Sequence, residues 1–257
     1  DTPGGFTATA IYNGYVEQGG RFMTIDDPLA NQTPGSGTVA LGVNDSGVLV
    51  GAYFDSAGVA HGFVYQDGHY STLDDPNAGT EPGEGTQLSS INDRGVIAGF
   101  YFDSSAVYHG FVYQGSRFTT VNAPDAGSAP GEGTYVSHIN NLGVISGVAF
   151  ESNGDESSFI ERSGNFTTIT DPAGPTTTYA TWVNDLGVVG GAYYDANGAG
   201  HGFTDRRGSF AALDDPDAGT SSGQGTFPTS GNDRGTTVGY YIDTTGQTHG
   251  FELTFGC

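Results

Sequence analysis

The sequence contains no lysine, and its seven arginines face 29 acidic residues, which leaves a net charge of −22 over 257 residues. Proteins that bind nucleic acids or anionic membranes need clustered cations, so we expect no nucleic-acid partner. The only cysteine, Cys257, is the last residue, so no internal disulfide can stabilise the fold and stability must come from sheet packing. Cys257 is a candidate for a cross-link between two subunits.

Long apolar segments are missing as well. No run approaches the roughly 20 residues that cross a bilayer, so no membrane span is predicted. The sequence begins at Asp1 rather than methionine, as processed secreted proteins do, and we expect an extracellular protein whose signal peptide has been removed. No glycine-rich phosphate loop before a helix occurs, so this enzyme class is not indicated.

The sequence instead repeats one block of about 48 residues five times. A turn motif of the form Asn-Asp-x-Gly begins at Asn44, Asn92, Asn140, Asn184 and Asn232, with Asn141 in place of the aspartate in the third copy. An acidic residue then follows at Asp55, Asp103, Glu151, Asp195 and Asp243, and it comes directly after an aromatic residue in all but the last of these. A His-Gly-Phe motif comes next, with its first position at His61, His109, Ser157, His201 and His249, and at Asn13 in a partial first copy. A repeat of this length without helical periodicity predicts a β-propeller or another closed array.

One block is interpreted as four short strands joined by tight turns. In the second block these strands are 86–91, 96–103, 109–114 and 117–122. Short hairpins pair as antiparallel neighbours, and the longer connector 123–133 leads to the next block. We therefore predict an all-β fold, a five-bladed β-propeller of four-stranded antiparallel blades, in a single domain over 1–257. Glycines repeated within the strands, such as Gly51 and Gly62, are predicted to allow tight packing between neighbouring blades.

The predicted ring does not close evenly, because the third strand occurs six times and the other strands five times. The last blade is predicted to combine the N-terminal segment 11–27 with residues 226–255. Either 11–17 or 249–254 supplies its third strand, and the other segment is surplus. A surplus strand folds back, frays or pairs with another molecule. The candidate assembly residues are Ile11, Tyr12, Tyr15, Phe251, Leu253 and Cys257.

The combined motifs resemble the HAF-repeat family of extracellular proteins, which is named for a His-Ala-Phe motif. The resemblance rests on Asn-Asp-x-Gly-Val, on a glycine followed by an aromatic residue, on Asp-x-x-Gly and on His-Gly-Phe, and it covers nearly the whole chain. Glycine replaces the family's alanine in each of the four His-Gly-Phe copies. The resemblance implies export and a repeated β architecture, and it implies no particular reaction.

The repeated histidines are not predicted to form a metal site, because zinc ligands must converge on one point and equivalent residues of separate blades do not. We expect them to tie adjacent strands by hydrogen bonds. The acidic connectors are better candidates for ligand binding, since oxygen-rich loops with glycine can wrap Ca²⁺. The alternative is ordinary turn chemistry. The candidate ligand-binding residues are Asp74, Asp75, Glu81, Glu84, Asp214, Asp215 and Asp217.

These features favour a secreted, non-enzymatic recognition or matrix module that binds a glycan or another polar ligand at repeated sites, because several copies gain avidity. The alternative is a structural subunit that assembles into a filament or matrix by exchange of the surplus strand. A carboxylate-dependent, glycan-active enzyme is the third hypothesis. It is disfavoured because the blades are too alike for one of them to carry the chemistry, and no catalytic residue is assigned.

Overall fold

The computed structural model describes residues 11–170 and 177–254, and the regular structure of these residues consists of β-strands alone. Within these two ranges, no helix has the length and apolar character that crossing a membrane requires. The chain divides into two compact units. One contains the described residues up to Val121 together with Ala129–Gly131, and the other contains Asn122–Ser128 and the described residues from Glu132 onward.

In the first unit, the strands form a hairpin and two antiparallel meanders. The hairpin consists of β1 (Gly14–Gln18) and β2 (Arg21–Ile25). The first meander consists of β3 (Thr38–Val43), β4 (Leu49–Phe54), β5 (Ala60–Gln66) and β6 (His69–Thr72). The second meander consists of β7 (Gly85–Ile91), β8 (Ile97–Phe102), β9 (Tyr108–Gln114) and β10 (Arg117–Val121). A single parallel pair, Ala60 with Gly85, joins the two meanders.

In the second unit, the strands form three antiparallel meanders. The third meander consists of β11 (Gly133–Ile139), β12 (Ile145–Phe150), β13 (Glu156–Arg162) and β14 (Asn165–Ile169). The fourth consists of β15 (Thr178–Val183), β16 (Val188–Tyr194), β17 (Gly200–Arg206) and β18 (Ser209–Ala212). The last consists of β19 (Gly225–Gly231), β20 (Thr236–Ile242) and β21 (Thr248–Thr254). Gly200 pairs with Gly225 in the same parallel manner as in the first unit.

The repeated asparagine closes its own Asn-Asp-x-Gly turn, and at Asn44, Asn140 and Asn184 it also binds the next turn. Asn44 Oδ1 accepts hydrogen bonds from the backbone N–H groups of Ser46 at 3.1 Å and Val48 at 3.0 Å. Its Nδ2 donates to the backbone oxygen of Asn92, one repeat further along, at 3.2 Å. Gly47 supplies the positive φ that the turn requires, at 77°. The motif therefore sets both the hairpin and the spacing of successive meanders.

The repeated glycine of each second strand is explained within its own meander, which corrects the prediction of packing between blades for this position. The first strand has a bulge between Ala40 and Gly42. A Cβ at Gly51 would collide with the backbone oxygen of Val39 and would lie 2.7 Å from the ring of Phe63. At the third-strand glycine both kinds of contact apply, since a Cβ at Gly62 would collide with the backbone oxygen of Leu73 in its own repeat and would lie 2.8 Å from Leu88 of the next meander.

A phenylalanine in the third strand anchors the core of each complete meander. Phe63 and Phe111 are fully buried in the first unit, and Phe203 is buried in the second. Phe111 packs edge-on against Phe118 of the neighbouring strand, with 5.1 Å between the ring centroids. Because a buried aromatic ring removes a large apolar area from water, these positions dominate the packing of each repeat.

The four-stranded antiparallel arrangement is confirmed for the repeats that begin at β3, β7, β11 and β15. In the last meander the third strand is β21, which pairs with β20, whereas the segment 11–17 contributes to a hairpin with β2. The blade count of five, the single domain over 1–257 and the last blade shared by 11–27 and 226–255 remain predictions.

Candidate ligand-binding sites

A histidine joins two strands and a connector in the first meander. The ring of His61 on β5 stacks on Tyr53 of β4, with 5.0 Å between the ring centroids. Its Nδ1 lies 2.7 Å from Asp74 Oδ2 and its Nε2 lies 3.5 Å from Asp55 Oδ2. Asp74 Oδ1 also accepts a hydrogen bond from the backbone N–H of Gly62 at 2.9 Å. We call this stacked histidine with its carboxylates the His–Asp tie.

The fourth meander repeats the whole tie. His201 stacks on Tyr193, lies 2.9 Å from Asp214 Oδ2 and lies 3.8 Å from Asp195 Oδ2. Asp214 Oδ1 accepts from the backbone N–H of Gly202 at 2.9 Å, as in the first meander. The two complete ties therefore contain two of the predicted connector carboxylates, Asp74 and Asp214.

The other repeats keep part of this arrangement. His109 lies 3.2 Å from Asp103 Oδ2, and His249 lies 2.9 Å from Asp243 Oδ2. The third meander has Ser157, whose hydroxyl donates to the Glu151 carboxylate at 2.7 Å. The expectation that these histidines tie adjacent strands is confirmed.

Two groups of the tie at His61 have shifted pKa values. The pKa of Asp55 is lowered, chiefly because the backbone N–H of Val59 bonds to its carboxylate. Partial burial by itself lowers the pKa of His61, but the hydrogen bonds and charges of Asp74 and Asp55 outweigh it and raise the pKa above its usual value. The tie at His61 therefore combines a carboxylate of lowered pKa, Asp55, with an imidazole that is easier to protonate than a free one.

In the connector between β6 and β7, the remaining acidic residues take part in hydrogen bonds within the loop or to the strand that follows it. The backbone N–H of Asp75 donates to Thr86 Oγ1 at 3.0 Å, and Asp75 Oδ1 accepts from the backbone N–H of Asn77 at 2.9 Å. Glu84 Oε2 accepts from the backbone N–H of Glu81 at 2.9 Å. Asp75 and Glu84 are buried, whereas Glu81 is exposed. These contacts support the turn-chemistry alternative for Asp75 and Glu84.

The connector between β18 and β19 has the same internal bonds. The backbone N–H of Asp215 donates to Thr226 Oγ1 at 2.9 Å, and its Oδ1 accepts from the backbone N–H of Asp217 at 2.9 Å. The side chain of Asp217 is exposed. Gln224 replaces Glu84 and accepts from the backbone N–H of Ser221 at 3.1 Å. An amide thus performs the loop-closing role without a charge.

The predicted calcium site has no preformed cage in the part of the chain that the structure describes. No group of three or more His, Cys, Asp or Glu side chains in that part is arranged to hold a metal ion. Ca²⁺ prefers six to eight oxygen ligands. Binding of Ca²⁺ by the connectors remains a prediction.

A shallow groove brings predicted ligand residues and predicted assembly residues together. Asp214 and Asp215 line it with Phe251 and Leu253, and its volume is about 80 Å³. Small-molecule pockets are typically about 300 to 1,000 Å³, so a ligand here would rest on the surface rather than enter a cavity. The structure thus places Asp214 and Asp215 beside Phe251 and Leu253 on a shallow part of the surface.

The assembly candidates at the other end of the chain lie in or beside the hairpin. Tyr15 on β1 is 67% exposed, and Ile11 precedes the strand and is exposed as well. Tyr12 pairs with Gly37 in an isolated parallel bridge. Cys257 lies outside the described residues.

A second groove contains residues that the sequence analysis did not select. Its lining residues are Leu142, Arg162, Asp185, Leu186, Gly187 and Arg207, and its volume is about 460 Å³. All of them belong to hairpin turns or strand ends of the third and fourth meanders. The sequence contained a sign of this groove. Leucine fills the third position of the Asn-Asp-x-Gly turn only in the third and fourth copies, at Leu142 and Leu186.

Comparisons with known proteins identify the fold. No protein-family model matches the chain, and no curated protein matches it. A mutant of AofleA from Arthrobotrys oligospora, in which alanine replaces three arginines, is similar in fold to this chain. The alignment has a TM-score of 0.52 and 13% identity, and it covers 92% of this chain and 74% of that one. The six-bladed β-propeller lectin of Aleuria aurantia aligns with a TM-score of 0.50 and 11% identity, over 90% and 79%. The fold is therefore of the β-propeller class.

Proposed function

We propose that this protein is a secreted, non-enzymatic recognition module that binds glycans on a five-bladed propeller of the HAF-repeat type. The observation that carries the proposal is the recurrence of the His–Asp tie with accessible polar groups. The side chains of His61, Asp55 and Asp74 are 26%, 33% and 34% exposed. The corresponding carboxylate of Asp214 is 40% exposed.

Sugar hydroxyls bind to charged acceptors of this kind, because a hydrogen bond to a carboxylate is stronger than one between neutral groups. A single shallow site of this type binds weakly. Several ties on one chain raise the apparent affinity for a ligand that repeats, without any new contact. The fold supports this proposal by analogy only, since the Aleuria aurantia protein is a lectin with a fucose recognition mode.

Titration calorimetry against neutral oligosaccharides, including fucosylated ones, tests the proposal. His61→Ser and His201→Ser introduce the residue that the third repeat has at this position, Ser157. Because Ser157 is compatible with the fold and forms a hydrogen bond to Glu151, these variants are expected to fold. We expect Asp74→Asn and Asp214→Asn to weaken binding at one site each, and the double variant to abolish multivalent binding. Repeating the titration with EDTA tests the predicted role of Ca²⁺.

Asp67→Asn is the matched control. Asp67 is an exposed residue with a φ of 50° in the turn between β5 and β6, and asparagine tolerates that conformation. This variant removes one carboxylate without touching a tie, and its binding should equal that of the wild type. Unchanged glycan binding in the Asp74 and Asp214 variants, or no binding to any glycan, would contradict the proposal.

Self-assembly through terminal strands is a second candidate, favoured by two strand edges. Among the described strands, β21 pairs with β20 alone and β1 pairs with β2 alone. The hairpin also exposes two aromatic rings, Tyr15 and Phe22, which is 74% exposed. Exposed edges with apolar side chains are templates for pairing with another chain.

Sedimentation velocity at low and high salt tests the assembly, because salt screens the repulsion of a chain with a net charge of −22. We expect larger species at high salt, and their loss in Tyr15→Lys/Phe22→Lys. Leu29→Lys is the control, since Leu29 is 63% exposed and lies outside the hairpin. A wild-type chain that stays monomeric under all conditions would remove this candidate.

A further inference from the structure

The groove between the hairpin turns of the third and fourth meanders differs in chemistry from the rest of the molecule. Two arginines, Arg162 and Arg207, line it together with two exposed leucines. Leu142 is 56% exposed and Leu186 is 55% exposed. We call this the arginine–leucine groove. With a volume of about 460 Å³, it falls within the range of small-ligand sites.

The two guanidinium groups of the groove are not neutralised by the protein. No arginine forms an ion pair in the described part of the chain, where the ion pairs all involve histidine. The acidic residues that precede the two turns are engaged elsewhere. Glu161 accepts a hydrogen bond from the backbone N–H of Gly164, and Asp205 accepts one from Gly208 at 2.7 Å. The arginines are therefore free to bind an anion.

The groove coincides with two departures from the repeat. The positions that correspond to Leu142 and Leu186 are polar or charged in the other copies, namely Ser46, Arg94 and Arg234. The position of Arg162 is glutamine at Gln66 and Gln114 in the first two meanders, and that of Arg207 is Asp67 and Gly115. Turn geometry does not require these changes, since the other copies form the same hairpins without them. Charge and apolar surface thus appear together at one place.

The third kind of group in the groove is an acceptor. Asp185 Oδ1 accepts from the backbone N–H of Asn141 at 2.8 Å, which fixes the carboxylate at the wall of the groove. The backbone N–H of Asp185 donates in turn to Asp233 Oδ1 at 2.8 Å. The site therefore presents the oxygens of a fixed carboxylate, two guanidinium groups and an apolar surface.

We propose that the arginine–leucine groove binds a hexuronate unit of an acidic glycan. The uronate carboxylate pairs with the guanidinium groups of Arg162 and Arg207, because their fork geometry matches a carboxylate. The C–H face of the sugar ring packs on Leu142 and Leu186. A ring hydroxyl donates to Asp185. This site is separate from the His–Asp ties, and its occupation does not depend on them.

Other anions match fewer of these groups. A phosphate dianion would be repelled by the Asp185 carboxylate and would leave the leucines uncovered. A simple aliphatic carboxylate would cover the leucines but would offer no hydroxyl donor. A monoanionic sugar satisfies all three kinds of group, and a hydrogen bond between charged partners is about twice as strong as a neutral one.

Titration calorimetry with trigalacturonate tests the proposal, with its methyl ester and inorganic sulfate as further probes. We expect trigalacturonate to bind with a stoichiometry of one, and the uncharged ester to bind at least about tenfold more weakly. Arg162→Gln/Arg207→Ser should reduce affinity by a similar factor, and Leu142→Ser/Leu186→Ser should reduce it without removing a charge. These changes use residues found at equivalent positions of other repeats, so the fold is expected to persist.

Arg117→Gln removes an exposed arginine from the second meander and should leave the affinity for trigalacturonate unchanged. The His61→Ser/His201→Ser variant should also leave it unchanged, so failure of this proposal is distinguishable from failure of glycan binding at the ties. Equal binding of the methyl ester, equal or tighter binding of sulfate, or full affinity in the double arginine variant would each overturn the assignment.

Discussion

The N-terminal hairpin and the first meander share one sequence pattern, yet their aromatic residues end in opposite environments. Tyr15 on β1 is 67% exposed, whereas Phe63 at the same repeat position on β5 is 0% exposed. Phe22 is exposed, and its counterpart Tyr70 is half-buried. The difference lies in the neighbouring strand, because β5 pairs with β4, where Gly51 leaves room for the ring. The motif alone does not make a core residue.

The hairpin therefore behaves as the outer half of a repeat without its inner strands. It contacts the first meander at its start, where the backbone N–H of Thr38 donates to the oxygen of Tyr12 at 2.9 Å, and at its end, where Ile25 is buried with Leu49, Tyr53 and Phe63. Most of the other hairpin side chains are exposed, and stability is not uniform across a structure. We expect the hairpin to open at a lower free energy than the meander, which hydrogen exchange can measure.

The largest expected difference concerns the aromatic position itself. Phe63→Ala should lower the free energy of unfolding by about 3 to 5 kcal/mol, because it opens a cavity in a closed core. Tyr15→Ala should change it by no more than about 0.5 kcal/mol, since the ring is exposed. Denaturant unfolding followed by far-ultraviolet circular dichroism gives both values. Similar losses for the two variants would show that Tyr15 is covered in solution.

Gly51, which faces the ring of Phe63, is expected to give the next largest change in the free energy of unfolding. Gly51→Ala should cost about 1 to 3 kcal/mol, because its Cβ meets the backbone oxygen of Val39 and neither strand can yield easily. Gly14→Ala in the hairpin is the comparison, since its Cβ would lie 2.9 Å from the Cβ of Ala40. We expect a smaller cost there, measured by the same unfolding experiment. A larger cost for Gly14 would mean that β1 is held as firmly as β4.

Turn closure gives a smaller effect. Asn44→Ala removes two acceptor bonds within the turn and the donor bond to Asn92, so the free energy of unfolding should fall by about 1 to 2 kcal/mol. Gln18→Ala at the exposed end of β1 is the control and should have almost no effect. Thermal unfolding of both variants checks the difference, and equal melting temperatures would argue against the role of Asn44.

The pH dependence of the tie is the smallest effect. The pKa of His61 is raised in the folded protein, so its protonated form favours folding. This contribution is complete below the unfolded pKa of about 6.5 and is lost as the pH rises through the folded value. The stability difference between the wild type and His61→Ser should therefore be larger at pH 5.5 than at pH 8.5. A difference that does not change with pH would contradict the tie.

Much of the local structure was predictable from the repeat. The spacing of Asn92, Gly95 and His109 predicted the strands of the second meander within one or two residues, because short turns and alternating side chains leave few other arrangements. The role of the histidines as ties was also predictable. The reason for Gly51 was not, because a bulge in the opposite strand depends on hydrogen bonding across the pair.

The candidate sites divide in the same way. Asp74 and Asp214 were selected for their charge. The structure adds that each carboxylate forms a hydrogen bond with a histidine ring and accepts one from a backbone N–H. Asp75 was selected for the same reason, but its carboxylate is used inside the loop. Composition cannot separate these two neighbours, since the distinction depends on which direction each side chain takes.

The arginine–leucine groove shows where the repeat alone is insufficient. Arg162 and Leu186 lie 24 positions apart and belong to different repeats, and their proximity depends on how two meanders pack side by side. The linear pattern of turns, strands and ties follows from local chemistry that acts over a few residues. Burial of Phe63, exposure of Tyr15 and the meeting of unpaired charges with apolar side chains follow from long-range contacts, because each depends on a neighbouring strand or meander that local chemistry does not specify.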